Sequence, residues 1–379
     1  MKILADENIP LVVPAFSTIG EVHTIEGRRI TPSDLKDIDI LLVRSVTKVD
    51  QQLLKGSKVR FVGTATIGFD HIDLDYLKQN DIGFASAPGC NANSAAEYVI
   101  STLLILSQQQ HFKLRDKTVG IIGCGNVGSN VLQKLQALGV RCLVNDPPLQ
   151  AVQNNQYSFV DLDTVLQADI VTLHVPLEKS GLHPTYHLVN RPFLNQLKDD
   201  AILLNISRGN VVDEAALMYS LIDRPNLTVA LDVWPHEPAI NPLLMQKTVL
   251  ATPHIAGYSL DGKLRGTEML YNAVCQYFQY PNNWQTKDYL PLPKVTELHF
   301  SEQVSDSDAL LTAVTACYDV RADDAQLRQI LQHSNPASYF DHLRKTYPIR
   351  REFSSLTIKL PENKQQLQQK FKMLGFSIN

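Results

Sequence analysis

The stretch Thr118-Val-Gly-Ile-Ile-Gly123-Cys-Gly125-Asn126-Val127-Gly128 decides the fold. A strand-length, largely apolar run ends at Gly123, and a helix-forming segment, Ser129–Leu138, follows. Strand, G-x-G-x-x-G turn and helix in that order make a dinucleotide-binding loop. Gly123 permits the tight turn, Gly125 lets backbone approach a pyrophosphate, and Gly128 allows close helix–strand packing. The helix N-terminus then offers free N–H groups and partial positive charge to the diphosphate. Asp146 stands at the end of the next predicted strand, eighteen residues past Gly128. A carboxylate there suits the two ribose hydroxyls of an adenosine and repels a 2′-phosphate, which favours NAD over NADP. Asn145 and Pro147 beside it supply no arginine to reverse that choice.

Working outward, apolar strand-length runs recur at Thr118–Ile122, Arg141–Asn145, Ile170–His174, Ala201–Asn205, Thr228–Asp232 and Thr248–Ala251, separated by helix-length segments. They predict a doubly wound parallel sheet. Before it lie Lys2–Ala5, Asp39–Val43, Arg60–Gly63 and Gly83–Ser86, with amphipathic stretches at Asp50–Lys55 and Leu74–Gln79, a second parallel α/β pattern. Long helices are expected over Asn93–Gln110 and Ser259–Tyr280. Past the proline-bearing Pro281-Asn-Asn-Trp284 and Pro291-Leu-Pro293, strand signals at Val295–Phe300 and Ser355–Leu360 and helical signals at Ser307–Ala316, Asp324–Leu331 and Asn363–Leu374 describe a small α+β domain.

Composition narrows the classes. The chain has 379 residues, 35 basic against 39 acidic, and is 44% hydrophobic, so two or three cored domains are expected and intrinsic disorder is not. A net charge of −4 argues against a nucleic-acid partner. No apolar run reaches the roughly 18 residues of a membrane helix, and MKILADENIP lacks the apolar core of a secretory signal. Five cysteines without a C-x-x-C pair indicate neither a disulfide framework nor a zinc site, so no metal and a cytoplasmic location are expected.

Three polar residues follow the last strands: Arg208 in Asn205-Ile-Ser-Arg-Gly-Asn210, Glu237 in Asp232-Val-Trp-Pro-His-Glu-Pro238, and His254 in Thr252-Pro-His-Ile-Ala-Gly257. Ligands of such sheets bind beyond the carboxyl ends of the strands, so all three can meet in one crevice. A histidine can exchange a hydroxyl proton, a carboxylate on its other nitrogen fixes its tautomer, and an arginine fork suits a substrate carboxylate. The set fits hydride transfer between a 2-hydroxy acid and nicotinamide. His236 competes with His254, and His174 ends a strand beside the cofactor cleft.

On the GCGNVG loop, NISRGNVVDEAAL, LDVWPHEP and TPHIAGYS, residues 1–280 resemble the D-isomer-specific 2-hydroxyacid dehydrogenases. The resemblance implies a Rossmann NAD domain over residues 93–256 and a flavodoxin-like, discontinuous substrate domain over 1–92 and 257–285. It places the family's Arg, Glu and His on Arg208, Glu237 and His254. The cofactor set it implies is Gly123, Gly125, Asn126, Val127, Gly128, Asp146, Val175, Ile206, Ser207, Arg208, Asp232 and Gly257. Val175 departs from the usual threonine and retains only a backbone contact.

Finer agreement lies in Val43-Arg-Ser-Val-Thr-Lys48, Gly63-Thr-Ala-Thr-Ile-Gly68, Asp70-His-Ile-Asp73, Pro88-Gly-Cys-Asn-Ala92, His183-Pro-Thr-Tyr-His187 and the extra C-terminal domain. These resemble the branch that oxidises a small phosphorylated 2-hydroxy acid in pyridoxal 5′-phosphate biosynthesis. Arg44 and Ser45, in a loop with Thr47 and Lys48, suit a phosphate. Thr66 is expected at the substrate carboxylate and Tyr258 above the substrate. Residues 286–379 are expected to form a homodimer interface, with Arg350 or Arg351 of the basic run Arg344–Arg351 reaching the partner subunit's substrate. Two alternatives stay open: a phosphoglycerate dehydrogenase with a regulatory tail, and a non-enzymatic NAD-sensing corepressor.

Overall fold

The computed structural model describes residues 1–152 and 157–379. Within it the chain forms two compact units, Met1–Asn91 with Ser259–Pro291 and Ala92–Tyr258 with Leu292–Asn379.

The first unit is built on a five-stranded parallel sheet in the order β2-β1-β3-β4-β5: β1 (Lys2–Asp6), β2 (Glu21–Ile25), β3 (Ile40–Val43), β4 (Phe61–Thr64) and β5 (Gly83–Ala85). This is the flavodoxin-like order. β3 and β4 are buried throughout because helices cover both faces, which is why they read as unbroken apolar runs. β2 escaped the sequence reading: Glu21-Val-His-Thr-Ile25 is an edge strand, more polar and largely exposed. The chain re-enters this unit through the helix Leu260–Phe278, capped by the Ser259 hydroxyl, which accepts from Gly262 N–H at 2.8 Å. Leu270, Tyr271 and Val274 on that helix pack with Ile3, Phe16 and Phe61 in one core.

The second unit carries a six-stranded parallel sheet, in the order β11-β10-β9-β8-β6-β7. Its strands are β6 (Thr118–Ile122), β7 (Arg141–Asn145), β8 (Ile170–Leu173), β9 (Ile202–Asn205), β10 (Thr228–Leu231) and β11 (Leu250–Ala251). The order reverses between β6 and β8, the point at which such sheets open a crevice. A three-stranded sheet follows, all parallel, β12 (Glu297–His299), β13 (Thr357–Lys359) and β14 (Ser377–Ile378).

The C-terminal segment does not build a core of its own. Ala313, Val314, Val320, Phe353 and Phe371 share one buried cluster with Val99, Leu103 and Leu106 of the helix Ala92–Gln109 and with Val131 and Leu135 of the helix Asn126–Ala137. The boundary expected at residue 286 therefore marks a new sheet, not a separately cored body. Polar groups join the same parts. Ser101 Oγ donates to Tyr318 O at 2.8 Å, and Asn93 Nδ2 donates to Glu352 Oε2 at 2.7 Å.

One of the two candidate trans-acting arginines, Arg350, is corrected here. Arg350 is buried; its guanidinium donates to Ser94 O at 2.7 Å and to Ala256 O at 3.1 Å and stacks 3.7 Å from the Tyr318 ring. Held by its own chain on three sides, it cannot extend to a partner.

Candidate active site

The loop after β6 is shaped by steric need. Gly123 has a φ of +86°, and a Cβ there would lie 2.8 Å from the carbonyl of His174. A Cβ on Gly128 would lie 2.0 Å from Gly123 O, so only glycine lets the helix Asn126–Ala137 start so close to β6. Gly125 caps that helix without any side-chain bond, and space is open where its Cβ would stand. A helix N-terminus without a side-chain cap, next to open space, is what a diphosphate requires. Asp146 follows β7 and is half-buried. Its Oδ2 accepts from Cys124 N–H at 2.7 Å and its Oδ1 from Leu149 N–H at 2.9 Å. Each oxygen keeps a further lone pair for a ribose hydroxyl. These residues fit NAD. The Cys124 thiol in the loop is pushed up to about 11 by burial, so it stays an inert thiol.

His174 follows β8 directly. Its Nε2 is 3.0 Å from Thr172 Oγ1, and its Nδ1 is buried with no hydrogen-bond partner. Burial holds the imidazole down at about 3. It is neutral at physiological pH and is no proton carrier.

The three candidate catalytic residues stand on the next three strand ends. Arg208 follows β9 through a turn organised by Asn205. The Asn205 Oδ1 accepts from Ser207 N–H at 3.0 Å and Ser207 Oγ at 2.7 Å, while its Nδ2 donates to Arg208 O at 3.0 Å. Arg208 Nη1 donates to Ser207 O at 2.8 Å and the side chain is half-buried. Gly209 presses this turn onto the next one, for a Cβ there would lie 1.9 Å from Trp234 O.

Glu237 and His254 form a direct pair, Oε2 to Nδ1 at 2.7 Å. The second carboxylate oxygen accepts from Trp234 N–H at 2.8 Å, and the Trp234 indole donates to Thr252 O at 2.9 Å, so both turns hold each other. Burial pushes the Glu237 carboxyl up, but His254, the Trp234 N–H and the Arg344 guanidinium together bring it below its ordinary value. With Nδ1 committed to an anion, the His254 Nε2 is the nitrogen left for a substrate. Asp232, fully buried, shapes the turn that carries His254. Its Oδ1 accepts from Thr252 Oγ1 at 2.6 Å and Ile255 N–H at 2.8 Å, and its Oδ2 from Ala256 N–H at 3.0 Å. The backbone at His254 is left-handed, with φ 56°. The competitor His236 is exposed, and the carboxylate turns to His254 instead.

In the first unit, Arg44 is half-buried and Ser45 exposed, in the turn after β3. Thr47 points inward to donate to Gly27 O at 2.9 Å, while the exposed Lys48 pairs with Asp50 at 2.9 Å. Thr66 bonds within its own loop, to Thr64 at 2.7 Å and to Gly68 O at 2.9 Å. Sequence reasoning missed Asn205, Trp234, Thr252 and Arg344. The first three lie inside the quoted motifs and were readable as polar or aromatic residues beside strand ends. Arg344 carried no signal beyond membership of a basic run. Among the described residues, no group of three or more His, Cys, Asp or Glu could hold a metal ion.

Comparison with known proteins supplies the family. The model for the NAD-binding domain of D-isomer-specific 2-hydroxyacid dehydrogenases matches residues 102–256. A curated erythronate-4-phosphate dehydrogenase from Hahella chejuensis is 48% identical, with 100% of each chain covered. The enzyme of that name from Marinobacter nauticus is 47% identical, again over 100% of both chains. This chain belongs to the erythronate-4-phosphate dehydrogenase family. It is an NAD-dependent 2-hydroxyacid dehydrogenase. The family's C-terminal part, residues 289–375, matches a domain described as of unknown function. Among solved structures, an NAD+-bound 3-phosphoglycerate dehydrogenase from Entamoeba histolytica is 26% identical with a TM-score of 0.62, covering 76% of this chain and 99% of its own. A D-lactate dehydrogenase from Aquifex aeolicus, with NAD and lactic acid, shares the fold at a TM-score of 0.59, 24% identity and coverage of 74% and 96%.

Proposed function

We propose that the protein oxidises 4-phospho-D-erythronate to 2-oxo-3-hydroxy-4-phosphobutanoate, a step of pyridoxal 5′-phosphate biosynthesis. The observation that carries the chemistry is the 2.7 Å His254–Glu237 pair, in the same unit as the dinucleotide loop and the Arg208 turn. His254 Nε2 takes the proton of the C2 hydroxyl while the C2–H bond breaks, and Glu237 supports the imidazolium that results. NAD, when bound, accepts the hydride. Arg208 grips the substrate carboxylate and polarises the forming carbonyl. Gly125, Asn126, Val127 and Asp146 would hold the diphosphate and ribose, with backbone of Val175, Ile206, Ser207 and Gly257 along the same strand ends. Asp232 serves by shaping the His254 turn.

The choice of a phosphorylated substrate is supported by full-length likeness to relatives of that name and by Arg44 and Ser45 in one turn. Thr66 and Tyr258 complete the substrate set in this reading. A homodimer belongs to it as well. Leu292, Leu331 and Ile349 leave large apolar surface exposed in the C-terminal segment. No helix among the described residues is long and apolar enough to cross a membrane; a cytoplasmic location belongs to the same reading. The test compares initial rates with 4-phospho-D-erythronate and with D-erythronate, for wild type and Arg44→Ala. Arg44→Ala should raise KM at least about tenfold for the phosphorylated acid alone, the loss of a charge-assisted contact. Equal efficiency on both acids in the wild type refutes the phosphate reading.

A further inference from the structure

The strand that leads to His254 is fastened by the C-terminal segment. Asp324 Oδ1 accepts from Ala251 N–H of β11 at 2.8 Å. Arg328, held by Asp324 at 2.9 Å, donates to Thr248 O at 2.9 Å. The helix Pro336–Lys345 brings Arg344 to Tyr258, four residues past His254. Its guanidinium carbon lies 5.6 Å from the centroid of the Tyr258 ring, and a side-chain hydrogen bond joins the two residues. Tyr347 meets the same ring edge-to-face, at 5.6 Å and 87°, and its O–H donates to Asp323 Oδ2 at 2.8 Å. Tyr258 is therefore seated between a cation and a ring, both supplied from the C-terminal segment. The Arg344 charge also acts on Glu237 and Asp232. Its Nε is buried and has no hydrogen-bond partner.

We propose that Arg344 is a positioning residue of the active site, which seats Tyr258 and sets a fixed positive charge beside the Glu237–His254 pair. The C-terminal segment is then part of the catalytic apparatus. The inference rests on the dehydrogenase reading of that pair. Two physical effects are involved, and they separate by substitution. A cation over an aromatic face holds the ring in place, more strongly when desolvated. A positive charge beside a carboxylate disfavours protonation of the pair it belongs to. The groups facing Glu237 are His254 from the turn after β11, the Trp234 N–H from its own turn and Arg344 from the C-terminal helix. Those facing Arg344 are Tyr258, Glu237 and Asp232, with Asp323 and Arg350 standing behind Tyr347.

Arg344→Gln removes the charge and keeps a polar side chain; Arg344→Lys keeps the charge and loses the planar fork. In Arg344→Gln, KM for 4-phospho-D-erythronate should rise about tenfold as the seat is lost, with NAD affinity and the thermal midpoint unchanged. The acidic limb of kcat/KM should move up by about half a pH unit. Arg344→Lys should return that limb to its wild-type position while KM stays raised. A companion measurement needs no turnover. In protein labelled with 3-fluorotyrosine, the Tyr258 resonance, identified by its loss in Tyr258→Phe, should shift or broaden in Arg344→Gln. If wild type does not oxidise the substrate but this resonance moves, the substrate assignment fails and the seat stands. If the resonance stays fixed, or if wild type is active and KM and the acidic limb of Arg344→Gln match it, the proposal is overturned. A loss of NAD affinity and thermal stability as large as the KM change also overturns it, since Arg344 would then be merely structural.

Discussion

Replacing Glu237 by glutamine isolates the charge that supports His254. The amide keeps the size and retains an oxygen for the Trp234 N–H, which the carboxylate accepts at 2.8 Å, so the turn should hold. What disappears is the anion 2.7 Å from Nδ1 in a largely buried setting. A charge-assisted hydrogen bond of this kind is worth about 1.5–3 kcal/mol, so kcat should fall roughly ten- to hundredfold. The sign of the pH effect follows from the same charge. Without the carboxylate, the pair binds a proton less readily, so the acidic limb of kcat/KM moves to lower pH, opposite to the shift expected for Arg344→Gln. Initial rates of nicotinamide reduction across about pH 5–9, with NAD titrated by fluorescence as a control, provide the assay. A variant with kcat within about twofold of wild type and an unmoved acidic limb would refute the pairing as a catalytic device.

Asp146→Ala should weaken NAD about tenfold or more and narrow its advantage over NADP, since both the ribose acceptor and the repulsion of a 2′-phosphate are lost. The same variant loses the cap at Leu149 N–H, so a modest drop in thermal stability should accompany it; equal NAD affinity in cofactor titrations would remove Asp146 from the site. Glu97→Gln tests the buried charges that join the C-terminal segment to the dinucleotide fold. Burial pushes the Glu97 carboxyl up to about 8 against the pull of Lys134, so the folded chain holds a proton that the unfolded chain releases from the ordinary carboxylate range upward. Stability in this respect is full below that range and is lost as pH rises through about 8. The variant should flatten that decline in thermal unfolding between pH 5 and 9; parallel wild-type and variant curves would contradict it. If the proposed homodimer forms through the C-terminal segment, wild type should sediment as a dimer and Ile349→Glu, at an exposed apolar position of that segment, as a monomer; a monomeric wild type, or the same mass for both, would contradict the proposal.

Both parallel sheets were legible because buried strands leave long apolar runs and because the glycine loop has one steric solution: Gly128 touches Gly123, and Gly123 touches His174. The Glu237–His254 pair was legible as two polar residues at neighbouring strand ends, and Arg208 as a polar residue at the end of β9. β2 was not, since an edge strand need not be apolar on either face. The C-terminal segment misled for a different reason. Its proline-bearing entry signals a linker, and nothing local shows that Val320, Phe353 and Phe371 pack on helices more than two hundred residues earlier in the chain. For the same reason Arg350 read as an intersubunit charge, when its bonds go to Ser94 O and Ala256 O. Long-range polar contacts leave no periodicity.

The most direct test of the account is a single-turnover experiment. Enzyme saturated with NAD is mixed rapidly with 4-phospho-D-erythronate, and nicotinamide absorbance is followed for wild type and His254→Asn. The account predicts stoichiometric reduction in the wild type, and in the variant a rate lower by at least about a hundredfold with NAD still bound, because asparagine keeps a hydrogen bond but cannot take the hydroxyl proton. Reduction at a comparable rate in His254→Asn, or none in the wild type, would contradict it.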